Sequence, residues 1–387
     1  MLDSFDVMLY ALVLSPLMKD LGLTKTSAGL IGSITLVAAA AGGIVFGVVA
    51  DRYGRVTALR WSILLYAIFT AACGLAHNFW QLLGFRVLLG FGMGGEWASG
   101  AALVSESWPR EHRGKALGLM QSAWAVGYAL AAITTAIVLP IGGWRLVFFV
   151  GLLPALLTIW TRRNVPESES WRLTKQNSAP QLGRLSTLFR KRLLGLTIAV
   201  TLMNGCALFA WWGFNLWMPA YLSLPASQGG LKLSSSTTAM LIVTMQIGMW
   251  FGYVTFGAIS DLVGRKLSYI VYLLAAAASL LAYSLARSPV ALLGLGPIVA
   301  FFGTGHFSGF GTVTSEIYET RIRATAQGFT YNVGRLASAA APFVLGSWTE
   351  THGFAAAFRL TAIFLVVAAV FWIWIPETRG RPEQSEI

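Results

Sequence analysis

Two acids three residues apart, Asp3 and Asp6, sit in a stretch that is otherwise apolar. That spacing places both carboxylates on one face of a helix. A carboxylate kept from water resists ionisation, and a second one beside it adds to the resistance. The pair therefore reads as a proton-binding device, unless water simply solvates it. Arg86 and Glu96 lie in a later apolar run. Charges at such depth cost several kcal/mol unless they are partnered, which marks them as functional candidates. At 100° per residue, Glu96 falls about 80° around the helix from Arg86 and roughly 15 Å along it, so the two are not expected to pair. Glu96 would carry a proton in a cavity or pair near the end of its helix. Arg335, in YNVGR (Tyr331 to Arg335), puts a guanidinium in the middle of another run. Its bidentate fork matches a carboxylate, so Arg335 is the candidate anchor for an anion. A salt bridge to an acid of another helix is the alternative.

Asn204, Trp211 and Asn215 fall on one helical stripe with Leu208, and Trp212 adjoins it. Amides beside an indole could line a pocket, or the aromatics could be packing and interfacial belt. His306 could titrate near neutral pH or serve structure alone. Gln121, Gln246 and Asn332 join the pocket candidates on the same logic. Catalytic patterns are missing: there is no HExxH, no GxSxG and no phosphate loop, so the chain is not read as an enzyme. Cys73 and Cys206 lie in apolar runs without metal-ligand spacing.

The elements that must position these groups follow from composition. Apolar residues make up 56% of the 387 and charged ones 11%. A soluble protein of this length needs more charge to cover its surface, so the exterior must face lipid. A bilayer core takes about 20 apolar residues per helix. Runs of that kind fall at 2–18, 27–50, 57–76, 80–104, 115–139, 144–163, 192–222, 236–260, 267–286, 290–315, 324–347 and 355–375. Twelve spans in two groups of six predict an all-α integral membrane protein. The expected organisation is a helical bundle over 1–163, a polar cytoplasmic linker at 164–191, a second bundle over 192–375 and a tail at 376–387. Only Met1 and Leu2 precede Asp3, so the first helix reads as truncated.

The formal net charge is +12. Its arginines and lysines concentrate in the loops after even-numbered spans and in the tail, which predicts both termini on the cytoplasmic side of a cell membrane. That distribution makes nucleic acid an unneeded explanation for the charge. The chain also repeats at an offset of 210: FGVVADRYGR from Phe46 matches FGAISDLVGR from Phe256, Ser105-Glu106 matches Ser315-Glu316, and Pro166-Glu167 matches Pro376-Glu377. Repeated six-helix halves characterise secondary transporters.

These landmarks resemble a known family. GxxxDxxGR (Gly47, Asp51, Gly54, Arg55), its copy (Gly257, Asp261, Gly264, Arg265) and Arg86-x-x-x-Gly90-x-Gly92 resemble the signatures of the major facilitator superfamily. LDSFD from Leu2, GFGMGGEW from Gly90, SESWPREHRGKA from Ser105 and PESESW from Pro166 resemble its sialate/lactate proton-symporter branch. The paired-Asp motif is shared with an aromatic-acid branch. The resemblance implies a coupling role for Arg86. It also implies a cytoplasmic gate built from Asp51, Arg55, Glu106, Arg110 and Arg113, with Asp261, Arg265, Glu316 and Arg323 repeating most of it. The short linker favours a small monocarboxylate over sialate. The expectation is a monomer that takes up a small organic anion with a proton, driven by the proton gradient and needing no cofactor. PETRGR (Pro376 to Arg381) also resembles sugar porters, so a sugar or polyol symporter is the first rival. A non-transporting nutrient receptor is the second.

Overall fold

A chain surrounded by hydrocarbon must satisfy its backbone internally, and long apolar helices do so. The computed structural model describes residues 1–107, 113–153, 165–167, 188–318 and 320–379, and is helical almost throughout them. The helices are α1 (Leu2–Leu12), α2 (Leu14–Leu21), α3 (Lys25–Tyr53), α4 (Arg55–Cys73), α5 (Phe79–Ser107), α6 (Arg113–Val150), α7 (Lys191–Ser223), α8 (Ser235–Val263), α9 (Arg265–Leu285), α10 (Pro289–Gly305), α11 (Phe310–Ile317), α12 (Thr320–Ser338) and α13 (Ala341–Phe371).

Eight helical stretches among the described residues are long and apolar enough to cross a bilayer. The twelve spans expected from the apolar runs are cut differently among the described residues, and proline explains two of the differences. The first run breaks at Val13, three residues before Pro16, into α1 and α2. The eleventh breaks at Ala339 and Ala340, just before Pro342. A proline has no N–H to give its helix and disfavours helical geometry in the residue before it. The tenth is interrupted by a 3-10 turn at His306–Gly309. Conversely, α6 and α13 each continue from one apolar run into the next with only a bend between them. The bends fall at Gly143 (φ 68°) and Gly353 (φ 80°), again 210 apart.

The chain gathers into two compact units. Unit 1 comprises Met1–Ala179, Asn215–Val243 and Pro342–Gly353; unit 2 comprises Pro180–Phe214, Thr244–Ala341 and Phe354–Ile387. In unit 1, α3 and α5 cross with their backbones touching. A Cβ on Gly42 would overlap the Phe91 carbonyl, and one on Gly94 would overlap that of Ala39. Small residues permit this approach, which gains dispersion contacts that lipid cannot supply. The same unit holds a polar seam at the far end of α3. Thr26 donates to both oxygens of Glu350, through N (3.1 Å) and Oγ1 (2.6 Å). Phe343 N donates to Ser33 Oγ (3.0 Å), Trp217 Nε1 to the Pro342 carbonyl (3.0 Å) and Lys25 Nζ to the Gln228 carbonyl (2.9 Å). In unit 2, Tyr269, Tyr272, Phe256 and Trp372 form a buried aromatic cluster.

Of the expected linker 164–191, only 165–167 and 188–191 belong to the described residues.

Candidate functional site

Unit 1 concentrates the intramembrane charges around α1. Asp3 and Asp6 are 7% and 1% exposed, so neither is solvated as an end residue would be. They are turned inward because α1 lies against α6, where Gly127 leaves room for the Met1 carbonyl. Beside Asp6 stand Asp3 of its own helix, Thr70 of α4, and Glu96 and Arg86 of α5. A Cβ on Gly151 would lie 3.0 Å from Asp6 Oδ1. Neither oxygen of Asp6 accepts a hydrogen bond from a described residue.

Arg86 is 1% exposed. Its neighbours are Cys73, Tyr10 and Asp6, and its Nε and Nη1 donate to no described group. The guanidinium rests on the ring of Tyr10, 4.4 Å from the centroid. Glu96, ten residues along α5, neighbours Asp3 and Tyr66. Arg86 and Glu96 form no ion pair. The three acids and the arginine thus share one dehydrated patch without joining one another. Sequence reasoning missed Tyr10, Tyr66 and Thr70, which complete that patch. Tyr10 was findable, since it follows Asp6 by four residues and so shares its helix face.

In unit 2, Arg335 occupies the last turn of α12, half-buried, and pairs with no described acid. Asn204 of α7 is 1% exposed. Its Nδ2 has no described partner and would lie 2.7 Å from a Cβ on Gly334, next to Arg335. Trp211 meets Phe307 edge-on at 6.3 Å, and Trp212 is buried. Gln246 is buried with Oε1 unpartnered. His306 is buried between Tyr269 and Phe307; its Nδ1 lies 3.4 Å from the Phe302 carbonyl and its Nε2 has no described partner. Asn332 is exposed and donates to Gly328 of its own helix (2.9 Å). Asn215 is buried in unit 1, and Gln121 half-buried there. A groove of about 480 Å³ lies between α8 and α10, but Ile247, Phe251, Pro297 and Phe301 line it. It offers nothing that could recognise a charge, and suits a lipid face.

The repeated motifs do a job at the helix ends. Glu167 accepts the N–H groups of Arg55 (2.6 Å) and Val56 (3.1 Å), which open α4. Glu377 does the same for Arg265 (2.9 Å) and Lys266 (3.0 Å), which open α9. Each glutamate thereby satisfies orphan donors and meets the positive end of a helix. Gly54 (φ 113°) and Gly264 (φ 108°) make the docking possible: both have backbone angles that side chains avoid, and a Cβ there would strike the capping carboxylate. In unit 2, Arg265 also pairs with Asp261 and with Glu316 (3.1 Å) and donates to Ser260 Oγ (2.7 Å). Thr378 Oγ1 donates to the same Glu316, and Arg379 Nη1 to the Leu262 carbonyl (2.6 Å). Arg110 lies outside the described residues, as do the side chains of Asp51, Glu106, Arg113 and Arg323.

Burial alone would raise the Glu377 carboxyl, but the backbone N–H groups of Arg379, Arg265, Lys266 and Thr378 outweigh it and hold the carboxyl below its usual range. A carboxyl lowered by folding contributes stability above its unfolded pKa, and that contribution fades as pH falls through the folded value. Glu377→Ala is therefore expected to lose about 1 kcal/mol at neutral pH. Thermal unfolding of both proteins against pH should show the gap closing below about pH 4. A gap independent of pH would show that the carboxylate charge is not what matters.

Comparison with known proteins agrees with this architecture. A family model described as Major Facilitator Superfamily matches residues 1–231 and 221–386. A Haemophilus influenzae protein named for metabolite transport is 35% identical over 98% of this chain and 94% of its own length. The cis,cis-muconate transport protein of Acinetobacter baylyi is 31% identical over 100% of this chain and 94% of its own. Among solved structures, a D-xylose-proton symporter superposes with a TM-score of 0.76 at 20% identity, covering 98% of both chains, which is a likeness of fold.

Proposed function

Because the chain belongs to the major facilitator superfamily of membrane transporters, we propose that it performs proton-coupled symport of a small organic anion by alternating access. The reading rests first on Asp6: a fully buried carboxyl, in a patch with Asp3, Glu96 and Arg86, that accepts no hydrogen bond from a described residue. A group so placed is costly as a permanent charge, yet can bind and release a proton as its access to water changes. Arg86 adjoins it and would translate the proton's presence into helix movement. Arg335 supplies the anion anchor. Its lack of an ion pair among the described residues argues against a purely structural salt bridge. That a relative is named for cis,cis-muconate, a carboxylate, supports an organic anion. The protein would act as a monomer in the cell's inner membrane with both termini cytoplasmic, and the Arg265–Glu316 cluster would latch one access state.

Thermal stabilisation of the purified full chain by a carboxylate and sugar library identifies the passenger, since a ligand stabilises the state it binds. Sugars that stabilise where carboxylates do not would favour the sugar-porter reading. With that ligand, proteoliposomes carrying an inward proton gradient should accumulate it, and a protonophore should abolish the accumulation. Asp6→Asn is expected to lose accumulation about a hundredfold while still exchanging internal for external ligand. Accumulation indifferent to the protonophore would refute the coupling.

A further inference from the structure

The coupling assignment uses three acids and an arginine but leaves out the aromatic ring on which that arginine rests. Tyr10 is 0% exposed, and its hydroxyl donates to the Ala28 carbonyl of α3 at 2.8 Å, which fixes the ring's orientation. The Arg86 guanidinium carbon lies 4.4 Å from the ring centroid, inside the roughly 6 Å reach of a cation–π contact. Asp6 is an electrostatic neighbour of the same arginine. A dehydrated carboxylate and a dehydrated guanidinium would ordinarily gain a charge-assisted fork. Here Nε and Nη1 of Arg86 and both oxygens of Asp6 remain without described partners, and the cation sits on the ring.

We propose that Tyr10 is a second seat for the Arg86 guanidinium, making it a positioning residue that sets the pH at which Asp6 exchanges its proton. The proposal rests on Asp6 being the proton carrier. Two arrangements then compete for one cation. With a proton on Asp6, the carboxyl has no charge to offer and the ring holds the guanidinium. With the proton gone, the carboxylate draws the fork to itself. Removing the ring weakens the first arrangement alone, so more acid is needed to populate it.

The other groups around this switch stay in place in such a variant. They are Asp3 on α1, Tyr66, Thr70 and Cys73 on α4, and Glu96 on α5. Just past the end of α6 lies the backbone of Gly151; the α6 cation Arg145 is engaged with Asp20 of α2. From α3 comes the Ala28 carbonyl.

The test needs no substrate. The full chain in lipid nanodiscs is titrated while the infrared stretch of protonated carboxyl groups is recorded, the Asp6 band being the one absent in Asp6→Asn. Tyr10→Leu is expected to move that band's half-point about one pH unit towards acid. Tyr10→Phe keeps the ring and should move it far less. Should the leucine variant not fold, Tyr10→Met, closer in size, takes its place. An unmoved half-point in the leucine or methionine variant overturns the proposal. So does an equal shift in Tyr10→Phe, which would assign the effect to the hydroxyl bond with Ala28. If Asp6→Asn removes no band, the proton-carrier assignment itself falls, a result distinct from the other two.

Discussion

Gly94→Ala is expected to lower the unfolding temperature of the purified protein by about 10 °C, or to leave no monodisperse protein to measure. The change adds one carbon to an apolar helix, and on composition alone it should favour the helix, since alanine is the better helix former. Geometry reverses the sign. The added carbon would overlap the Ala39 carbonyl and stand 2.5 Å from Gly43 N, and both are backbone, which cannot swing aside as a side chain can. The two helices must separate along a crossing that also carries Gly42 against Phe91 and Gly90 against Thr35. Gly84, on the same helix with nothing within 4 Å of its Cβ position, is the control: Gly84→Ala should leave the unfolding temperature unchanged or slightly raised. Equal behaviour of the two variants, read by scanning fluorimetry, would mean that the close crossing is not what holds unit 1 together.

The second large effect concerns the passenger. Arg335→Ala should weaken binding of the carboxylate identified by thermal stabilisation about a hundredfold, as expected when one partner of a dehydrated charge pair is deleted. Arg335→Lys keeps the charge but loses the planar fork, and should recover only part of the affinity. Titration calorimetry on the three proteins gives the comparison directly. Because Arg335 pairs with no described acid, neither variant strands a partner, and the unfolding temperature without ligand should barely change. Undiminished affinity in Arg335→Ala would move the anchor elsewhere.

What could be read from the chain beforehand depended on how local the physics was. The all-helical membrane architecture follows from apolar run length, and the shared face of Asp3 and Asp6 follows from their being three apart; that this face turns away from water is visible only in the folded helices. Tyr10 escaped notice because an aromatic four residues on in an apolar helix looks like packing, and only the placement of Arg86 over its ring gives it another meaning. The 210-residue repeat singled out Glu167 and Glu377 as landmarks but could not say what they do. Each caps a helix 112 residues earlier in the chain, a distance over which no spacing rule reaches. The helix breaks at Val13 and before Pro342 were within reach of proline arithmetic, whereas the 3-10 turn at His306 has no comparable local signal.

The bends at Gly143 and Gly353 have a practical corollary. Where helices turn about one or two residues, there is no slack for a protease to grip and no room for a guest sequence, so epitope insertion there should disrupt assembly. Ser227, exposed in the isolated 3-10 turn at Ala226–Gln228, is a more tolerant address for a fluorophore, since the Gln228 carbonyl and the residues after Gly229 are hydrogen-bonded to Lys25 and to the end of α7.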